Sequence, residues 1–496
     1  MQKSHEEHIE SVEAQATADP RATDTSQQYD EAETRRILRK VDIRLVPALT
    51  VMYLLAFIDR SNIGNAKVAG MNQDLGLTGA QYNIALTVFF IPYALFEVPC
   101  NVILKLTKPS LWLPSIVLTW GVVLTCMGLV KNFEGLVVAR FFLGVAEAGF
   151  FPGATYLLTI WYKRYEVQTR MIIFFAGASL SGAFSGLLAF AIQHMDGVAG
   201  LGGWAWIFIL EGIATVFVAL PLYWLLPDSP ATASFLTEEE KRFLILRLEN
   251  ETGSSRGRVT NDDKISGRHV LDALKDWRIY IAVIIYWGNS IGVYAFAFTI
   301  PTVIRELGYS AANAQLLTIP IYVCAMICAT VASIASDRQQ NRSSYIIGGC
   351  AAASLGFIAL LASPKPELPG LTYGFIFLAA SGLYSFIVPT ICWIGNNMAP
   401  SSKRAVGMAA LISGGNLGGI IGSNIFLENE QPRYWTGYGF CLGILVCSII
   451  STLVLRWAYH RENIERDNMS EESRAAVSER ELMELGDRSP YFRYVL

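Results

Sequence analysis

The chain has 496 residues, of which 52% are hydrophobic and only 16% charged, against about 25% charged in an ordinary soluble protein. That deficit excludes a soluble enzyme, and the polar ends, 1–44 and 459–496, leave the middle more apolar still. A net charge of -3, with no basic stretch interleaved with aromatics, excludes nucleic acid as a partner.

In chain order, residues 1–44 read as a cytoplasmic polar tail. It holds no short apolar stretch before a cleavage site, so the first span serves as its own insertion signal. A hydrocarbon core of about 30 Å needs roughly 20 apolar helical residues. Twelve such runs follow, at 45–66, 82–104, 111–131, 135–160, 170–193, 204–226, 278–301, 315–336, 344–363, 371–395, 404–427 and 436–458. None alternates in polarity as barrel strands do, so the expected fold is an all-α membrane protein with twelve transmembrane helices.

Basic residues sort the loops. Lys105, Lys108, Lys163, Arg164, Arg170, Arg338, Arg342, Lys403 and Arg404 fall on one side, joined by the cluster from Arg35 to Arg44. By the positive-inside rule that side is cytoplasmic, and so are both chain ends. The long connection 227–277 divides the spans into a six-helix bundle at 45–226 and another at 278–458, followed by a cytoplasmic tail at 459–496. Two equal sets suggest pseudo-symmetric transporter repeats around a central cavity. Within the cytoplasmic linker, Thr237 to Glu240 reads as a capping box opening an amphipathic helix through Phe243, Leu244, Leu246 and Leu248. Residues 253–267 are polar and expected to be flexible, 270–277 to form a short surface helix, and 1–30 and the end of the chain to be disordered.

All eight cysteines fall inside spans, where they pack as small apolar residues, and the five histidines show no ligand spacing. No metal or organic cofactor is expected. The glycine-rich run Ser413 to Gly419 lies inside a span instead of between strand and helix, so direct ATP drive is excluded; its glycines suit either a cavity wall or tight helix packing.

Six charges sit within the spans: Asp59, Arg60, Glu97, Arg140, Glu147 and Glu211. Each costs roughly 2.5 to 3.5 kcal/mol at a helix centre, so each needs a partner, water or a proton. Leu45 to Ile58 covers only about 21 Å, so the first helix must continue and place Asp59 and Arg60 inside the bilayer. Adjacent helical residues point about 100° apart, and Arg60 shares its face with Tyr53. Arg140 and Glu147 lie two turns apart on one stripe of span 4, with Gly144 between them. Glu147, near mid-membrane with no local basic neighbour, is the foremost proton carrier. Glu97 suits gating or packing, and Glu211 a structural helix contact. The second bundle offers amides and aromatics instead: Trp287, Asn289 and Tyr294, then Trp393 and Asn396, then Asn416. Charge recognition therefore belongs to the first bundle and shape recognition to the second, and an arginine beside a cavity favours a carboxylate ligand.

These residues resemble the major facilitator superfamily, and within it the anion:cation symporters of the fungal allantoate and nicotinate permease branch. The resemblance spans about residues 40 to 460. It rests on Asp59-Arg60-Ser61-Asn62-Ile63-Gly64-Asn65-Ala66, on Phe96-Glu97-Val98-Pro99-Cys100-Asn101, and on Arg140 through Gly144 with Glu147-Ala148-Gly149 and Pro152-Gly153. Asp228-Ser229-Pro230 and Ser336-Asp337-Arg338 to Arg342 also fit. The resemblance implies the major facilitator fold and proton-coupled uptake of an organic anion by alternating access. It makes Asp59 and Glu147 protonation sites, Arg60 and Arg140 the substrate-carboxylate and charge-network positions, and Glu97, Asp337, Arg338 and Arg342 gating residues. Two departures stand out: 104–109 lacks the Gly and Asp-Arg of the usual gating motif, and Ala205 replaces the arginine often found between the two tryptophans.

The resulting expectation is a proton symporter for a small monocarboxylate, nicotinate-like first, then allantoate, ureidosuccinate, pantothenate or biotin. Arg60, Arg140, Tyr53, Asn289, Trp393 and Asn416 are the expected substrate-binding residues. A monomer in the plasma membrane is expected, its partners being lipid, protons as coupling ion and the anion. Export of an acidic metabolite and a non-transporting nutrient receptor are the rival readings.

Overall fold

The computed structural model describes residues 31–252, 271–273, 275–363, 367–399, 401–470 and 485–496. The expected disorder of 1–30 and flexibility of 253–267 lie outside these residues, as does Val270. Among the described residues every regular element is helical. Met1–Arg44 and Leu45–Leu496 form two compact units. In the first, helix already starts at Glu31, supported by an Arg35 to Glu31 contact of 3.0 Å one turn apart.

The helices before the linker are α1 (Glu31–Val68), α2 (Gly79–Leu106), α3 (Pro109–Met127), α4 (Phe133–Glu147), α5 (Phe150–Trp161), α6 (Arg164–Ile192) and α7 (Gly203–Leu225). The linker contributes α8 (Glu238–Thr252). After it come α9 (Trp277–Glu306), α10 (Ala311–Gln339), α11 (Arg342–Ala362), α12 (Pro369–Ser385), α13 (Ile387–Asn396), α14 (Ser401–Asn416), α15 (Gly418–Gly422) and α16 (Trp435–Asp467). Counting α4 with α5 and α12 with α13 as continuous spans, ten helices among the described residues are long and apolar enough to cross a bilayer, and Val406–Gly422 is a shorter apolar helix.

Local chemistry sets the helix ends. The Thr78 hydroxyl accepts from the Gln81 N–H at 3.2 Å while the Gln81 side chain accepts from the Thr78 N–H at 2.9 Å, a reciprocal cap that starts α2. Asn132, Ser310 and Asn341 cap α4, α10 and α11 one way only, each side chain accepting from the backbone N–H three residues on. The capping box read at Thr237 and Glu240 is present at the start of α8. Its apolar stripe needs correction: Leu244 is buried but Leu246 is exposed, because residues two apart lie about 200° around a helix and cannot share a face.

The fourth span of each set is broken near its middle, at Ala148–Gly149 between α4 and α5 and at Phe386 between α12 and α13. Pro152 falls in the first turn of α5, where a missing N–H costs nothing. Gly144 lets α4 approach α2 closely, since a Cβ there would run into the Phe89 carbonyl. The glycines of the 413–419 run are packing residues: side chains at Gly415, Gly418 and Gly419 would collide with Tyr286, Ser290 and Phe90.

Leu95, Phe217, Val331 and Leu355 point outward and exposed, while Asp59, Asn62, Arg140, Glu147 and Glu211 are buried. This inversion of the soluble pattern is what a hydrocarbon solvent demands. All eight cysteines are free.

Candidate functional site

Arg60 is the centre of the buried charge. α1 carries it inward, 7% exposed, where its Nε donates to Glu147 Oε2 of α4 at 2.7 Å. Its Nη1 donates to the Tyr294 hydroxyl of α9 at 3.1 Å, which in turn donates to Asn416 Oδ1 of α14 at 3.0 Å. A single chain of hydrogen bonds thus joins the helices on either side of the linker. The guanidinium also lies over the ring of Tyr93, 4.6 Å from its centroid, where a cation is attracted to the π face. The break between α4 and α5 falls directly after Glu147, so the carboxylate sits on the last turn of a helix at mid-span.

Arg60 forms the charged wall of a central cavity. Tyr53, Tyr93, Tyr286, Tyr294 and Tyr384 supply much of the remaining wall, with Asn289 and Asn416 as amides. Tyr53 is held rigidly by stacking on Phe174, with ring centroids 4.0 Å apart. Asn289 spends its side-chain N–H on the Leu383 carbonyl.

Of the expected substrate-binding residues, Arg60, Tyr53, Asn289 and Asn416 line this cavity. Arg140 and Trp393 do not. Arg140, two turns from Glu147, is buried beneath Phe89, 5.9 Å from its ring centroid. Trp393 lies near the end of α13, its indole N–H bonded to the Val495 carbonyl at 2.8 Å. The premise that Glu147 has no basic neighbour is also corrected, because Arg60 reaches it from a helix remote in sequence.

Asp59 faces away from Arg60, as the helical turn requires. It is fully buried beside the Trp120 indole and the Thr215 hydroxyl. Glu211 accepts from Asn62, which ties α7 to α1. Glu97 is buried beside Ser413 of α14. Arg342 donates to Asp337 across the turn between α10 and α11 at 3.2 Å, and Arg338 is exposed.

Tyr93, Tyr286 and Tyr384 were not singled out from the sequence. A signal existed for one: Tyr286, Asn289, Ser290 and Tyr294 recur at helical spacing along α9, a polar stripe in an otherwise apolar span.

The family model described as Major Facilitator Superfamily matches residues 49–423. The chain is 36% identical to an MFS-type transporter, cnsO, of Penicillium expansum, over 94% of this chain and 92% of that protein. It is 31% identical to the high-affinity nicotinic acid transporter of Saccharomyces cerevisiae, over 93% and 85%. Among solved structures, a D-xylose-proton symporter superposes with a TM-score of 0.62 at 14% identity, over 83% of this chain and 97% of that one. An inward-facing bacterial homologue of the lysosomal transporter Spinster superposes with a TM-score of 0.61 at 17% identity, over 83% and 94%. The inward-facing charges, the aromatic cavity and the shared helical architecture belong together: this chain is a member of the major facilitator superfamily, a family of membrane transporters and not of enzymes.

Proposed function

We propose that the protein takes up a small organic monocarboxylate with protons, the order of preference being nicotinate-like, then allantoate, ureidosuccinate, pantothenate or biotin. The observation that carries this reading is the Arg60–Glu147 pair on the wall of an aromatic cavity. A guanidinium takes a carboxylate in a two-pronged grip, and here one prong is already held by Glu147. Protonating Glu147 neutralises that competitor and releases Arg60 to a substrate carboxylate; a tyrosine-rich wall suits the flat body of an aromatic acid.

Asp59, fully buried among the helices before the linker, is the second proton site of this reading. Arg140 holds the charge network from outside the cavity, and Glu97 with the Asp337–Arg342 loop serves gating. No cofactor beyond the proton is needed. The reading places a monomer in the plasma membrane with both termini cytoplasmic. The relative from Saccharomyces cerevisiae that is named for nicotinic acid supports the substrate class.

The test is uptake of a panel of labelled monocarboxylates by cells expressing the chain, at several external pH values. Uptake of one acid that rises as external pH falls is expected. Uptake of none, or uptake indifferent to pH, overturns the reading.

A further inference from the structure

The end of the chain, expected to be a disordered tail, is instead seated. Residues 485–496 lie against the linker-side ends of α9, α11, α13, α14 and α16, and their contacts are those of a recognised peptide. We infer that these helix ends form a peptide-recognition groove, occupied by residues 485–496 of the chain itself as a resident ligand.

Two asparagines read consecutive residues of an extended main chain. Asn463 donates to the Tyr494 carbonyl at 2.8 Å and accepts from its N–H at 2.9 Å. Asn397 does the same for Val495, at 2.9 and 2.8 Å. A side-chain amide carries one donor and one acceptor side by side, which matches the N–H and C=O of a single residue. Trp393 adds a second donor to the Val495 carbonyl, and the Arg342 backbone N–H reaches the Leu496 carbonyl at 3.2 Å. Main-chain bonds of this kind give affinity, and side-chain pockets give specificity.

Two side chains supply the specificity. Asp487, 2% exposed, receives the Lys403 ammonium at 2.8 Å, and Lys403 bridges onward to Asp276, the cap of α9. The Tyr494 ring stacks on Tyr459 with centroids 4.6 Å apart. Its hydroxyl accepts from Arg278 at 2.6 Å and donates to the Asp487 carbonyl at 2.9 Å. Arg466 donates to the carbonyls of Phe492 and Asp487, at 2.8 and 2.9 Å. The groove therefore presents Lys403, Arg278 and Arg466, set among the carboxylates of Asp276 and Glu462, to a segment whose anchors are an acid and a phenol. Because its walls come from five helices, the seated segment ties their linker-side ends into one body. This inference does not depend on what the protein transports.

The test introduces a protease site within residues 471–484 of the full chain, so that the protein folds before it is cut. After cleavage and washing, the melting temperature is expected to fall, and a synthetic peptide of residues 485–496 to restore it. The same peptide carrying Asp487→Lys is expected to bind about tenfold or more weakly, since it sets a like charge against Lys403. If washing leaves the segment in place, mass spectrometry of the cut protein is expected to find it retained, and Asp487→Lys in the full chain to release it. Asn463→Ala in the cut protein is expected to weaken rebinding of the natural peptide. A melting temperature unchanged after the segment has gone, or equal binding of the two peptides, would overturn the inference.

Discussion

Arg60 meets three kinds of partner at once: the Glu147 carboxylate, the Tyr294 phenol and the face of Tyr93. Only a planar fork with several donors can hold all three, so Arg60→Lys is not conservative here. A charged hydrogen bond is worth about 1.5–3 kcal/mol, and losing one from the anion grip is expected to raise the half-saturating substrate concentration at least about tenfold, measured as uptake against concentration. Unchanged affinity would place the anion elsewhere. The pair itself was only half legible in the sequence. The cost of charge in hydrocarbon singles out Arg60 and Glu147, but helical spacing leaves Glu147 with no basic neighbour on its own helix, and the 87 residues separating the true partners hide their contact. Tyr93 and Tyr384 left no mark, because an aromatic in a span reads the same whether it faces lipid or a cavity.

At the scale of the element, two glycines separate packing from function. Gly144→Ala presses on backbone, the Phe89 carbonyl, which cannot swing aside. It is expected to cost about 1–3 kcal/mol of stability, seen as a lower melting temperature in detergent. Gly415→Ala presses on the Tyr286 ring, which borders the cavity. Its main effect is expected to be weaker substrate uptake, with a smaller loss of stability; the reverse ranking would contradict these placements.

The linker helix α8 is held to α6 by Arg247, which donates to Glu166 Oε2 at 2.8 Å and also to Oε1. Burial pushes the Glu166 carboxyl up, but the hydrogen bonds and charge of Arg247 outweigh it and hold the group below its ordinary value. A lowered carboxyl contributes stability that is present above its unfolded value, about 4.3, and lost as pH falls through the lower folded value. Hydrogen exchange is therefore expected to show α8 protected at neutral pH and released in acid below about pH 4, with Arg247→Met removing the protection at neutral pH. The helices themselves were legible because about 20 apolar residues in a row have few other uses. The breaks at Ala148–Gly149 and Phe386 were less so, although a proline follows each by three residues, Pro152 and Pro389.

For the whole molecule, the helices before and after the linker meet at the end remote from it. Lys67 faces Glu428 at 3.6 Å, Asn424 donates to Thr87 at 2.7 Å, and Arg305 donates to the Val68 carbonyl at 3.2 Å. Alternating access requires this end to part. The hydroxyls of Thr87 and Ser423 are 3.2 Å apart, so Thr87→Cys with Ser423→Cys is expected to cross-link on oxidation and stop uptake until reduced. Transport that continues when cross-linked would show that the end need not open. The seated carboxyl-terminal segment was the least legible feature, since a short polar stretch reads as solvated and its partners lie up to 216 residues away.

On the proposed mechanism, a proton on Glu147 and an anion on Arg60 exchange places. The most direct measurement reconstitutes the chain in liposomes and compares accumulation of labelled nicotinate under an imposed pH gradient with counterflow exchange at uniform pH, for the natural chain and for Glu147→Gln. The natural chain is expected to do both and the variant to exchange without accumulating. Gradient-driven accumulation undiminished in Glu147→Gln would contradict the account.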